Sequence, residues 1–343
     1  MLKLTAKAPT RIDLAGGTID LWPIHQILDQ KATVNFGITL DAQVDLTEAA
    51  GGQFHLESQD LGVKFSGDLA AARTNTKIPL IGLLLGAIWR KDLPALTIVT
   101  SAKSPAGAGL GGSSCLAVTL CGALLEARRR IDREAPIDRK ALETKIVQTC
   151  SDVEARLIHA PTGIQDYWGA VRGNINRITF PPGELHVATS KPADLPGLAE
   201  ELIVCYSGRS RASAINNWEI FKRVFDGDKS LIATLNEIGT AAERCADAVA
   251  DGNLSRALLI SSLEWQLRTR LWPNIETVET KRLDSAAKKA GATFTRVCGA
   301  GGGGVMAVFA EREANAKVKQ ALVDAGGVIL PATVAEHGLQ IIG

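Results

Sequence analysis

The sequence predicts a two-lobed α+β protein, and three observations carry that expectation. At 343 residues the chain exceeds what one hydrophobic core ordinarily serves, which favours two packed lobes with a cleft between them. Short alternating apolar runs and longer helical patterns both occur, interleaved along the chain. Pro181, Pro182 and Gly183 open a proline-rich stretch reaching Pro196, which reads as the seam between lobes of residues 1–185 and 186–343.

Taken in order, the apolar runs at 2–6, 11–14, 32–40 and 43–47 read as strands, bounded by Gly16-Gly17 and Gly51-Gly52. The run PLIGLLLGAIW at 79–89 is apolar on nearly all sides and suits a buried helix despite its two glycines. Residues 96–100 form a strand candidate, followed by the glycine-rich SPAGAGLGGSS at 104–114 and a helix over about 113–130. A second helix over about 139–157 places Leu142, Ile146, Val147, Val153 and Leu157 on one face. It runs into a loop, HAPTGIQDYWGAVRG, and a short strand near 175–180. Beyond the seam, 201–206 read as a strand, and helices are expected over about 212–225, 231–250 and 254–271. The chain closes with a strand after Gly303, a helix around 314–325 and a strand at 328–330.

Charge excludes some partners. Lys plus Arg number 38 against 37 Asp plus Glu, a formal charge of +1 with no basic arm, so neither nucleic acid nor an anionic membrane is expected to bind. The six cysteines lie scattered in apolar segments without CxxC pairs or zinc spacing, which suits buried free thiols in a reducing cytosol. No apolar run reaches the roughly 20 residues of a spanning helix, and the first residues lack a signal peptide's apolar core, so a cytoplasmic location is expected.

In SPAGAGLGGSS, glycines and small residues precede two serines and an apolar helix, so backbone N–H groups can crowd inward with few Cβ atoms in the way. That is an anion cradle at the positive end of a helix starting near Ser113. Ser113 and Ser114 are candidates to cap that helix, and a hydroxyl could help hold magnesium on a nucleotide. A Walker A loop is excluded, since Gly112 is followed directly by Ser113 with no Lys. Gly107, Gly109 and Gly112 do satisfy the GxGxxG of a dinucleotide fold. However, the preceding strand ends several residues too early, and no acidic residue closes a strand about 20 residues on.

Three segments in order, KAPTRIDLAGGTID, PAGAGLGGSS and CGAGGGGV, make the chain resemble the family of galactokinase, homoserine kinase, mevalonate kinase and phosphomevalonate kinase, from Lys7 to Val305. The resemblance implies a ribosomal-protein-S5-domain-2-like amino lobe, a ferredoxin-like carboxyl lobe and ATP in the cleft. The subgroup acting on D-glycero-D-manno-heptose 7-phosphate is most similar, through the APxRIxxAGG opening and CYSGRSRASAIN at 205–216. Where that subgroup has Gln-Asp-Gln, this chain has Gln165, Asp166 and Tyr167, and it lacks their extra glycine before Thr-Asp.

What the resemblance implies is an ATP-dependent kinase of a sugar hydroxyl with Mg2+ as cofactor, the anomeric hydroxyl of a heptose 7-phosphate being the first expectation. A galactose- or fucose-type sugar, a mevalonate-type alcohol, or a non-catalytic nucleotide- or sugar-binding protein are the alternatives, and a homodimer is a candidate assembly. ATP is expected against Pro105, Ala106, Gly107, Ala108, Gly109, Leu110, Gly111, Gly112, Ser113 and Ser114. Asp166 matches the catalytic carboxylate, and Arg11 the residue that orients it; Asp166 could otherwise serve a turn after Gly163, and Arg11 a strand edge. Ser114 and Glu154 match the metal position. Asp20, Gly17, Thr18 and Gly163 are expected near the acceptor, as are Gly301 and Gly302; Arg209 and Arg211 are candidates for a phosphate carried by the acceptor.

Overall fold

The computed structural model describes residues 2–29, 31–210, 215–272 and 274–343, with the side chains of all but 215 and 216. Its first half runs β1 (Lys3–Ala15), β2 (Ala32–Glu48), β3 (Phe54–Ser58), β4 (Val63–Gly67), α1 (Leu69–Arg73), α2 (Pro79–Ile88), β5 (Leu96–Ala102), α3 (Gly112–Asp132), α4 (Arg139–Ile158), α5 (Gln165–Arg172), β6 (Ile175–Thr179) and β7 (His186–Ser190). There follow α6 (Leu198–Glu201), β8 (Leu202–Tyr206), α7 (Ile215–Phe225), α8 (Lys229–Ala250), α9 (Leu254–Leu271), α10 (Val278–Ala290), β9 (Phe294–Val297), β10 (Val305–Phe309), α11 (Arg312–Asp324), β11 (Val328–Leu330) and β12 (Gln340–Ile342).

Two long antiparallel strands form the spine. The four short runs expected in the first fifty residues fuse into β1 and β2, which pair along their length with register shifts between Ala8 and Thr10 and between Asp13 and Ala15. Pro9 has no N–H to give the ladder, so the first slip falls where pairing cannot continue in step. One half of β2 then pairs with β5 and the other with β6, so the strand serves two sheet directions. Among the described residues the first sheet runs β12-β1-β2-β5-β3-β4, with β6 and β7 branching from β2. The second is the antiparallel order β11-β8-β10-β9.

The proline-rich stretch is not a linker at its start. Pro181 to Gly183 turn the β6–β7 hairpin, so a division at 185/186 falls between two paired strands of the first sheet. β12 likewise returns from the far end of the chain to pair with β1. Proline and glycine mark a tight turn and a linker equally well in a single sequence. The loop expected at HAPTGIQDYWGAVRG also differs, because 165–172 form α5. Its Tyr167, Trp168, Ala170 and Val171 are buried, and burial of two large rings outweighs the helix cost of Gly169.

Behind the junction of the sheets lies a buried ionic cluster. Asp13 on β1 accepts from Arg296 on β9 at 2.7 Å and from the Gly299 amide at 3.0 Å, and lies 3.4 Å from Arg268 on α9. Arg296 also reaches Glu264 at 3.3 Å and the Leu14 carbonyl. Burial pushes the Asp13 carboxyl up, but Arg296, Arg268 and Arg11 outweigh it and hold it far below the usual carboxylate range. All six cysteines are buried and unpaired, and no described helix is long and apolar enough to cross a membrane. Replacing one partner of such a cluster strands the others without compensation. Arg296→Met is therefore expected to lower the unfolding free energy by about 3–5 kcal/mol in a urea titration; an unchanged midpoint would mean that the cluster does not hold the sheets together.

Candidate active site

The glycine loop is fixed through its carbonyls. Ala108 O accepts from Val305 N at 2.7 Å, Gly109 O from the Arg11 guanidinium at 2.8 Å, and Leu110 O from Arg11 N at 3.2 Å. In a trans peptide the C=O and the following N–H point opposite ways, so the amides of Gly109, Leu110 and Gly111 face away from these anchors. None of the three donates to a protein acceptor among the described residues. Gly107, Gly109 and Gly111 have φ of 67°, 78° and 69°, and a Cβ at Gly109 would lie 2.6 Å from the Cys298 carbonyl. Only glycine suits that combination. α3 begins at Gly112 with Gly111 as N-cap and no side-chain cap, so the expected serine cap is not formed and the helix's first amides add to the same donor surface.

Asp166, in the first turn of α5, sits directly across from that loop. A Cβ on Gly111 would be 3.0 Å from its carboxyl. Arg11 binds it with Nε at 2.7 Å and the second terminal nitrogen at 2.5 Å, both on Oδ1, leaving Oδ2 outside the pair. Arg11 is 4% exposed. Burial opposes its charge, but Asp166 and Asp13 outweigh burial and hold the guanidinium above its ordinary value. The carboxylate is thus oriented by a group that stays charged at any working pH.

Ser114 Oγ donates to Glu154 Oε2 at 2.6 Å, joining α3 to α4. Glu154 is 6% exposed with no cationic partner among the described residues, and burial pushes its carboxyl up. A divalent cation carried by nucleotide phosphates would find two oxygen donors here, and its charge would offset that cost. Asp20 accepts from the Gln165 amide at 2.9 Å. Burial pushes its carboxyl up to about 6, Gln165 works against the rise, and the neighbouring charge of Asp166 adds to it.

Arg11, Thr18, Asp20, Gly163, Asp166, Ser114 and Glu154 all line one cleft of about 720 Å3 with the glycine loop from Pro105 onward. Leu110 does not; it is buried and serves through its carbonyl. Gly17 packs against Arg268, which a Cβ would meet at 1.9 Å, and Gly301 packs against Ile275, whose carbonyl accepts from Gly302. From that glycine run it is Gly299 and Ala300 that line the cleft. Arg209 is exposed and pairs with Glu279 at 3.4 Å, outside the cleft lining, and Arg211 lies outside the described residues. Sequence reading missed Arg268, which lines the cleft while its NH2 donates to Gly299 O at 3.0 Å. Its signal was the Glu264, Arg268 pair four apart on a helix that is otherwise half apolar.

Residues 81–174 match the family model of the GHMP kinases N terminal domain. The chain is 24% identical over 329 residues to the bifunctional fucokinase/GDP-fucose pyrophosphorylase of Arabidopsis thaliana, covering 90% of this chain and only 30% of that protein. It is 23% identical to the mevalonate kinase of Pyrococcus furiosus over 99% of this chain and 98% of the other. Its fold is shared, at a TM-score of 0.75 and 19% identity, with a D-glycero-D-manno-heptose 1-phosphate kinase from Bacteriodes thetaiotaomicron, over 99% of both chains.

An acid whose pKa is raised by folding binds its proton more tightly in the folded state. Its stabilising contribution is whole below the unfolded value near 4 and is lost as pH rises through about 6. Holding Asp20 ionised then costs roughly 3 kcal/mol. Asp20→Asn should accordingly be more stable than the wild type at about pH 8, by up to that amount, and no more stable at about pH 4. Identical denaturant curves for the two proteins at both pH values would contradict this.

Proposed function

We propose that the chain, whose residues 81–174 match the GHMP kinases N terminal domain, transfers the γ-phosphoryl group of ATP to a sugar hydroxyl, with the anomeric hydroxyl of D-glycero-D-manno-heptose 7-phosphate as first acceptor. The observation that carries the reading is the contact of Asp166 with Gly111, which sets a carboxylate beside the free amides of a phosphate cradle. The amides of Gly109 to Gly111 and the start of α3 receive the phosphates. Asp166 accepts the proton of the acceptor hydroxyl as its oxygen bonds to the γ-phosphorus, the bond to the bridging oxygen breaks, and ADP leaves. Arg11 keeps that carboxylate in place and brings positive charge beside the reacting group. Ser114 and Glu154 would hold Mg2+, which neutralises charge on the phosphates.

The sugar assignment draws on the fucokinase and heptose kinase among the similar proteins, and on Asp20, a buried carboxylate suited to accept from sugar hydroxyls. The likeness to a mevalonate kinase supports a second reading, an alcohol acceptor of that class. A cytoplasmic location fits the ATP requirement and the reduced, buried thiols.

The test is ADP release with ATP, magnesium and a panel of sugars, sugar phosphates and mevalonate, with the product identified by mass spectrometry. Asp166→Asn should lower kcat by about 10²–10⁴-fold with its fold intact. Release that no acceptor stimulates, and that the variant leaves undiminished, would remove the proposal. Glu154→Gln should raise the magnesium concentration for half-maximal rate by about tenfold or more. An unchanged magnesium profile would place the metal elsewhere.

A further inference from the structure

A second cavity, of about 1030 Å3, lies on the other side of α5 from the glycine loop, and among the described residues Asp20 is the one side chain that lines both. Its walls come from the turn after β1, from α4, from α5 and from the β6–β7 hairpin. Much of that wall is aromatic. Trp22 is 64% exposed, Trp168 faces it from α5, and Phe180 lies under the ring of His25 at 4.4 Å.

Two donor nitrogens on residues of this wall have no partner. Trp168 is 3% exposed, and its Nε1 is buried without a partner; the same holds for Nε of Arg172, whose guanidinium lies 5.7 Å from the Trp168 ring centroid and is paired through its second terminal nitrogen with Glu143 at 2.6 Å. Both groups can only donate, so what completes them must be an acceptor. Lys31 and Lys140 also line the cavity, and among the described residues neither pairs with a carboxylate. Of the carboxylates lining it, Asp20 is held by Gln165, Glu184 is bound to His186, and Asp152 is exposed.

We propose that this cavity is a second ligand site, taking a small aromatic anion whose ring lies among Trp22, Trp168 and Phe180 and whose carboxylate or phosphate is received by Trp168 Nε1, Arg172 Nε and the two lysines. It does not depend on which acceptor the kinase uses.

Isothermal calorimetry with phenyl phosphate, benzoate and inorganic phosphate tests it directly on the full chain. Saturable binding of one aromatic anion is expected, with inorganic phosphate weaker because it lacks the ring. Comparing phenyl phosphate with benzoate shows which anion the donors take. Trp168→Phe, which keeps an aromatic ring and removes the donor, should weaken binding about tenfold, and the Lys31→Gln, Lys140→Gln double variant, at solvent-accessible positions, should weaken it at least as much. Binding of an ATP analogue should be unchanged in both. No saturable binding of either aromatic anion up to millimolar concentration, or the same affinity in the double variant as in the wild type, would overturn the proposal.

Discussion

Arg11 holds three groups at once: the carboxylate of Asp166 through its side chain, the carbonyl of Gly109 through the same guanidinium, and the carbonyl of Leu110 through its main chain. The Asp166 carboxylate of α5 and the glycine loop before α3 are therefore registered against one residue of the central strand β1. Two glycines make room for this. A Cβ on Gly169 would lie 2.8 Å from Cβ of Arg11, and one on Gly111 would press on Asp166. Lysine could carry the charge, but it lacks a planar fork to span an acid and a carbonyl together.

The carboxylates around the cleft divide by their partners. Asp13, behind it, is met by two arginines and the Gly299 amide and is held ionised, so it acts as a fixed tie between β1, β9, α9 and the glycine run at 299–304. Asp20 and Glu154 line the cleft itself with no ion pair among the described residues, and burial pushes both up. Buried acids without compensating cations are costly, and such costs gather where a ligand will supply the missing partner. Under the proposed function, a sugar hydroxyl for Asp20 and a metal ion for Glu154 would be partners of that kind.

Most of the long elements could be read from periodicity, because α2, α3, α4, α8 and α9 each carry enough apolar residues for burial to follow pattern. Apart from α10, whose local capping and apolar pattern was not read, what escaped was decided by partners distant in sequence. α5 is short and glycine-containing, and only its packing against β1 and α3 makes a helix of it. The β3–β4 hairpin and β12 are brief strands whose pairing no local pattern announces. At the site, the glycine loop, Asp166, Arg11, Asp20, Ser114 and Glu154 were legible as residue types in ordered segments, and the cleft gathers them. Arg268 and Arg296 were not, because a charged residue on a helix or strand ordinarily faces solvent, and their burial follows from Asp13, more than 250 positions earlier.

The account rests on the free amides at Gly109, Leu110 and Gly111 being a phosphate seat beside Asp166. A crystal structure with a non-hydrolysable ATP analogue and magnesium measures that most directly. The account predicts the β- and γ-phosphates against those amides and the start of α3, with the terminal phosphate facing the Asp166 carboxylate. A nucleotide bound elsewhere, or one whose terminal phosphate lies across the cleft from Asp166, would contradict it.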